Sequence, residues 1–139
     1  MDARKYLEQV EKIDRLILNK KYEKDQWLSI AEGTAVSSDG DRVQSSGELH
    51  KMENAVIMAV EIENQIKTLR DTREEIINTI EQLDAEPYDI LHRKYIQHKK
   101  LEAIGEELGY AWATIKNKHK DALKKLQVIL DEQKTNSKQ

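Results

Sequence analysis

Five residues in the last third of the chain have side chains that suit contact with DNA. They are Trp112, Ala113, Lys116, Asn117 and Lys120. Their spacing of three and four residues places them on one face of a helix. Lysine can bind phosphates or guanine acceptors, asparagine can form two hydrogen bonds with adenine, and apolar groups can contact thymine methyls. The pattern predicts a helix face that contacts base edges in the major groove.

Further basic and polar side chains near this face could contact phosphates. This set consists of Lys99, Lys100, Thr114, Lys118 and Lys124. Residues 88–127 include nine Lys or Arg and five Asp or Glu, a formal charge of +4, whereas the whole chain has a charge of −3. A basic module on an acidic body is common where one part of a protein meets a polyanion. The alternative, a solvated lysine-rich helix face, stays open.

The segment before this helix has the pattern of a helix that ends in a tight turn. Leu101, Ile104 and Leu108 form its inner face. Gly105 lies where a crossing helix would need a residue without bulk, and Gly109 lies where a left-handed C-cap needs no Cβ. The apolar pattern then continues at Tyr110, Ile115, Ala122, Leu123 and Leu126. This spacing is that of a helix-turn-helix.

Residues that serve catalysis or metal binding form no recognisable set in the sequence. There is no cysteine, which excludes disulfides and thiolate chemistry. His92 and His98 are the closest pair of histidines, and no His-Glu-x-x-His spacing, nucleophile elbow or phosphate-binding glycine loop is present. His119 borders the apolar face and is predicted to pack against the first helix of the module. We therefore expect no enzyme, no cofactor and no metal site.

The composition predicts an all-α protein. Of 139 residues, 35% are charged and 5% aromatic, and there are five Gly and one Pro. Abundant Glu, Lys, Leu and Ile favour helices, and the shortage of aromatic and β-branched residues argues against a sandwich or barrel. The longest apolar run, residues 55–60, is far shorter than the ~20 residues that span a bilayer. The N-terminus does not resemble a signal sequence, so we expect a cytoplasmic protein without membrane contact.

The central segment has the clearest periodicity in the sequence. Its seam positions recur in alternating steps of three and four, at Met52, Ala55, Ala59, Ile62, Ile66, Leu69, Arg73, Ile76, Ile80 and Leu83, and Arg73 is the only charged one. Such a coiled-coil-type seam needs the first helix folded back on it, a second copy, or both. The apolar stripe of the first helix is interrupted at residues 20–24. We therefore favour a homodimer through the N-terminal helices, with Ile62, Ile66, Leu69, Arg73, Ile76 and Ile80 as the oligomer seam.

The pattern predicts three regions along the chain. Residues 1–86 form a helical hairpin or coiled-coil arm, with a Gly- and Ser-rich loop at 33–48 and a capping box formed by Ser45 and Glu48. Residues 87–130 form the helix-turn-helix module, which has three short helices and begins at Pro87. Residues 131–139 form a disordered tail.

The stretch from Tyr88 to Leu126 resembles region four of bacterial RNA polymerase sigma factors. The matching residues are Ile90, Leu91, Arg93, Tyr95, Ile96, the run Leu101–Tyr110, Thr114, Ile115, Lys116 and Ala122–Leu126. Tyr95-Ile96 and His119 are more similar to small sigma-like regulators of Gram-positive phages, the ArpU and RinA type. In those proteins too, a coiled-coil-like half precedes the module. The loop sequence at 43–47, Val-Gln-Ser-Ser-Gly, also looks like that group.

The resemblance implies a phage or prophage transcriptional regulator that binds double-stranded DNA and contacts RNA polymerase in the cytoplasm of a bacterial host. Sigma factors usually have Arg or Glu where this chain has Trp112 and Ala113, so the bases contacted would differ. The N-terminal half has only Tyr6, Tyr22 and Trp27 as aromatics, too few to capture unstacked bases. We therefore expect an activator or partial sigma mimic. A DNA-binding packaging or architectural oligomer and a helical adaptor stay open as alternatives.

Overall fold

A computed structural model describes residues 1–33 and 46–137, except for the side chains of Ser46 and Ser137. The described residues form five α-helices and one π-helical turn, without strands. In chain order these are α1 (Ala3–Ala31), α2 (Ser46–Ile80), α3 (Ala85–Leu91), the π-turn (His92–Ile96), α4 (Leu101–Leu108) and α5 (Trp112–Ser137). The prediction of an all-α fold is confirmed. None of the described helices is long and apolar enough to cross a membrane.

The chain forms two compact units, and the boundaries between them fall within α1 and within α2. One unit comprises Met1–Ile13 and Thr72–Gln139, and the other comprises Asp14–Asp71. The predicted boundary between residues 86 and 87 therefore differs from the observed division. The reason is that the first turns of α1 and the end of α2 pack with the C-terminal helices. The Ala3 amide donates to Gln127 Oε1 at 2.7 Å, and the Tyr6 hydroxyl donates to Thr79 Oγ1 at 3.0 Å.

The unit that contains the C-terminal helices has an apolar interior. Its fully buried large side chains include Leu7, Val10, Ile76, Ile80, Leu91 and Leu126. Ile90, Ile104 and Ile115 form a cluster that joins α3, α4 and α5. Leu101, Leu108 and Tyr110 pack around that cluster. All of these residues lie at the apolar positions of the helical pattern, which explains why short helices fold here.

The other unit is a pair of antiparallel helices built from α1 and α2. Lys20 Nζ donates to Gln65 Oε1 at 2.7 Å, and Lys24 Nζ pairs with Glu63 Oε2 at 2.7 Å. These two lysines belong to the charged interruption of the α1 stripe. Their ammonium groups reach polar side chains of α2, so the interruption does not separate the two helices.

The predicted oligomer seam is largely buried within the single chain. Ile62, Ile66, Ile76 and Ile80 are each 5% exposed or less. Leu69 and Arg73 are half-buried. A second copy is therefore not needed to cover the four isoleucines, and the homodimer itself stays a prediction. In each unit, neighbouring helices of the same chain already cover them.

The structure differs from two predictions, the extent of the loop at 33–48 and the disorder of the tail at 131–139. Helix α2 begins at Ser46, inside the predicted loop 33–48; most of that loop, and Ser45 of the predicted capping box, lie outside the described residues. The predicted disordered tail is helical as far as Ser137. No Gly or Pro follows Gly109, so no residue stops the helix. Gln127 Nε2 also donates to Asp131 Oδ1, which adds a contact between successive turns.

The π-turn that follows α3 brings a buried tyrosine to α5. Tyr95 Oη and His119 Nε2 are 2.9 Å apart, and the two rings stack with centroids 5.8 Å apart. Burial, together with the positive charges of Lys94 and Arg4, lowers the pKa of His119 to about 4. Burial raises the pKa of Tyr95 to about 12. The histidine is therefore neutral at pH 7, and it packs on the first helices of the module as the sequence predicted.

Acidification should destabilise the fold through His119. In the unfolded chain the imidazole has a pKa near 6.5, whereas in the folded protein its pKa is about 4. The unfolded state binds more protons between these values, so the free energy of unfolding should fall as the pH falls through this window. We expect this group to account for about 1–3 kcal/mol, measured by urea unfolding across the window.

The control for this prediction is His119→Gln, whose amide can still hydrogen-bond the Tyr95 hydroxyl but does not titrate. The carboxylates that also titrate at low pH are common to both proteins. The difference in stability between wild type and variant should therefore change with pH. A constant difference across the window would contradict the assignment.

Candidate nucleic-acid interface

The turn between α4 and α5 depends on a glycine in the left-handed conformation. Gly109 has φ 78° and ψ 26°. The Gly109 amide donates to the Glu106 carbonyl at 3.3 Å, and the Tyr110 amide donates to the Gly105 carbonyl at 2.8 Å. This pair of bonds is a Schellman motif, which satisfies the last carbonyls of α4. The chain then enters α5 after only two further residues.

Gly105 allows α4 and the start of α5 to approach each other closely. A Cβ at this position would lie 3.0 Å from Cγ2 of Ile115 and 3.2 Å from the carbonyl oxygen of Tyr110. Both distances are shorter than ordinary van der Waals contact. The sequence predicted a residue without bulk at this place, and the structure shows that Ile115 and the turn are what a side chain would meet.

The contact with α4 determines which face of α5 is free. Ile115, His119 and Ala122 are buried at the inner face. Seven of the residues predicted to contact DNA lie on α5 and are exposed: Trp112, Ala113, Thr114, Lys116, Asn117, Lys120 and Lys124. The structure therefore brings this predicted set together on one surface, which we call the α5 outer face.

Trp112 is the unusual member of the α5 outer face. Its side chain is 54% exposed although it is large and apolar. Lys116, one turn further along, places its Nζ 5.6 Å from the centre of the indole ring. A cation over the ring face is favourable, so the two side chains form a local pair. Together they offer one flat apolar surface and one positive charge at the start of the helix.

Lys118, which was predicted to contact phosphate, already has partners within the protein. Its Nζ lies 2.7 Å from Glu86 Oε1, and the Tyr110 hydroxyl donates to Glu86 Oε2 at 2.7 Å. The hydrogen bonds from Lys118 and Tyr110 hold the pKa of Glu86 below its usual range. Lys118 therefore fastens α5 to α3 and is less available to DNA than its neighbours.

Lys99 is likewise engaged, whereas Lys100 is exposed. Lys99 Nζ lies 3.0 Å from Glu107 Oε1, and Arg93 also pairs with Glu107. Hydrogen bonds from Lys99 and Arg93 lower the pKa of Glu107. Because Arg93 bonds Asp89 as well, these side chains join α3, the π-turn and α4.

Sequence reasoning missed Glu86 and Glu107 as the residues that neutralise predicted DNA-binding lysines. Glu86 lies 32 residues from Lys118 and Glu107 lies 8 residues from Lys99, so neither pair has the three- or four-residue spacing of an ion pair within one helix. The signal that remains in the sequence is weak: Glu107 lies within the basic stretch 88–127, and Glu86 lies just before it. Among the described residues, no group of three or more His, Asp or Glu could hold a metal ion.

The α5 outer face can form hydrogen bonds and ion pairs. Lys116 and Lys120 are exposed donors with a full charge, and Asn117 is a neutral donor and acceptor between them in sequence. Such a surface can bind a polyanion through its charges and can discriminate bases through an amide.

Comparisons with family models, curated proteins and solved structures gave no match to this chain.

The turn should tolerate asparagine at position 109 better than valine. A Cβ there would meet no atom within 4 Å, so any cost of substitution comes from the backbone conformation alone. Gly109→Val forces a β-branched residue to a positive φ and should lower the free energy of unfolding by about 1–3 kcal/mol. Gly109→Asn should cost less because asparagine adopts this conformation more readily. Urea unfolding of both variants beside wild type checks this, and equal stabilities would show that the turn does not depend on glycine.

Proposed function

We propose that the chain is a sequence-specific, double-stranded DNA-binding transcriptional regulator in which α4, the turn at Gly109 and α5 act as a helix-turn-helix. The observation that supports this most directly is the α5 outer face. Directly after a tight turn, it presents Trp112, Lys116, Asn117 and Lys120 to solvent, while Ile115 holds the helix against α4. A helix presented in this way can enter the major groove with its first turns toward the bases.

The division of labour within the proposed site follows from charge and position. Lys116 and Asn117 are the residues proposed to contact bases, with Trp112 and Ala113 as apolar contacts at the helix start. Lys120 and Lys124 would extend the positive surface along α5 toward phosphates. Phosphate contacts fix the orientation of a helix on DNA, whereas base contacts distinguish sequences.

The resemblance to sigma region four and to phage regulators extends this proposal to the biological role. The protein would act on phage or prophage genes in the host cytoplasm, as an activator or partial sigma mimic that works with host RNA polymerase. Selection of duplexes from a random pool by the purified protein tests the sequence-specific step. In vitro transcription from a promoter that contains the selected site then tests the regulatory step. A pool that yields no enriched sequence would overturn the proposal.

Binding to duplex DNA should weaken steeply as salt increases. Lys116, Lys120, Lys124 and Lys125 are exposed on α5. Each that neutralises a phosphate contributes about −0.9 to the slope of log affinity against log salt, so we expect a total slope of about −2 to −4 per module. Fluorescence anisotropy with a labelled duplex over a range of salt concentrations measures it. Retained binding with a flat salt response would contradict a phosphate-contacting face.

Substitutions on α5 should separate base contacts from phosphate contacts. Asn117→Ala should weaken binding to the selected site by about 1–3 kcal/mol and leave the salt slope unchanged, because no charge is lost. Lys124→Ala should weaken binding to all duplexes alike and reduce the slope by about one unit. Affinities for the selected site and for a scrambled duplex, measured at several salt concentrations, distinguish the two behaviours.

The control variant is Lys51→Ala, which removes an exposed positive charge from α2 without touching α5. It should behave as wild type in both measurements. If Asn117→Ala and Lys124→Ala affect selected and scrambled duplexes equally, α5 does not distinguish base sequences.

A further inference from the structure

We propose that two copies of the chain associate through the outward side of α2, antiparallel to each other and with Val60 on the two-fold axis. This surface is distinct from the predicted oligomer seam, which the single chain buries. The inference concerns only the unit Asp14–Asp71 and does not depend on the proposed function.

The outward side of α2 exposes large apolar side chains that a solvated helix face does not need. Leu49, Val56, Ile57 and Val60 are 47%, 48%, 62% and 56% exposed. Ala55, Ala59, Ile62 and Ile66 occupy the opposite side and are buried. Helix α2 therefore has two apolar sides, and α1 covers only one of them. Clusters of exposed apolar residues of this kind commonly mark protein–protein contacts.

The positions that share the outward side with Val60 follow from helical geometry. Moving outward from Val60 in either direction, the positions on this side fall at steps of four, three and four residues: 56, 53 and 49 toward the N-terminus, and 64, 67 and 71 toward the C-terminus. When two copies of such a helix lie antiparallel, each position meets its mirror position. Val60 then meets Val60 of the second copy, and Ile57 of each copy flanks that contact on the same side of the pair.

One pair of charges on the outward side is complementary in an antiparallel second copy, which is the occupant proposed here. Glu53 and Lys67 each lie seven residues from Val60. Both are exposed, and within the described residues neither forms an ion pair. In the antiparallel arrangement, Glu53 of each copy faces Lys67 of the other copy, which gives two opposite-charge pairs. A parallel arrangement would place like charges opposite each other, which disfavours it.

Disulfide trapping tests the position of the two-fold axis. The chain has no cysteine, so a single introduced cysteine is the only thiol. Val60→Cys should form a covalent dimer rapidly under mild oxidation, because the two Cα atoms would lie within disulfide reach across the axis. Lys51→Cys is the control: Lys51 is also exposed but lies nine residues from Val60, about 180° around the helix. Equal rates of crosslinking for the two variants would overturn the proposed axis.

Charge exchange tests the proposed pairing. Glu53→Lys and Lys67→Glu each place two like-charge pairs in the interface, so each variant alone should dimerise more weakly than wild type in sedimentation equilibrium. An equimolar mixture of the two variants should form a heterodimer in which both pairs are again of opposite charge. Lys51→Glu, a charge reversal on the opposite side of α2, should dimerise as wild type does. A monomeric wild type at hundreds of micromolar, or a mixture that associates no better than its components, would overturn the proposal.

Discussion

The close approach of α4 and α5 at Gly105 is the constraint on which the candidate site depends. Because position 105 has no Cβ, Ile115 can lie against α4 and join Ile90 and Ile104 in one cluster. Once Ile115 faces inward, the helical period turns Lys116 and Asn117 outward, and no further interaction is needed to expose them. The left-handed Gly109 adds the change of direction that brings the first turn of α5 to the same place. Two glycines four residues apart thus determine both the packing and the surface.

A second layer of interactions decides which basic side chains are free. Glu86 binds Lys118, and Glu107 binds Lys99, so two lysines that looked equivalent to their neighbours in the sequence serve to fasten helices together. These pairs are partly exposed and contribute little to stability by themselves. Their larger effect is on the distribution of charge, because they leave the free positive charge along the outer side of α5. The net charge of a segment therefore overstates the charge that a ligand would meet.

The sequence predicted the local features of the fold well and the long-range ones less well. Apolar periodicity identified the helices and the inner faces of α4 and α5, because a helix must bury every third or fourth residue whatever it packs against. The glycine turn was predictable because a positive φ restricts the choice of residue. The π-turn was not, since His92–Ile96 has the same composition as an ordinary helical turn. The partners of Lys99 and Lys118 depend on tertiary packing, and so does the division of the chain at residues 13/14 and 71/72.

The seam of α2 shows why periodicity alone cannot assign a partner. A stripe such as Ile62 and Ile66 requires an apolar neighbour, but folding α1 back on the same chain satisfies it as well as a second copy would. Sequence separation decides between them: a covalently linked helix has a high effective concentration and covers the stripe first. What then remains for intermolecular contact is the side that the intramolecular partner cannot reach. On α2 that side holds Val56, Ile57 and Val60, and its apolar character is too weak to have stood out beside the seam. The stronger pattern thus reports the internal core, and the weaker one is where an external partner would bind.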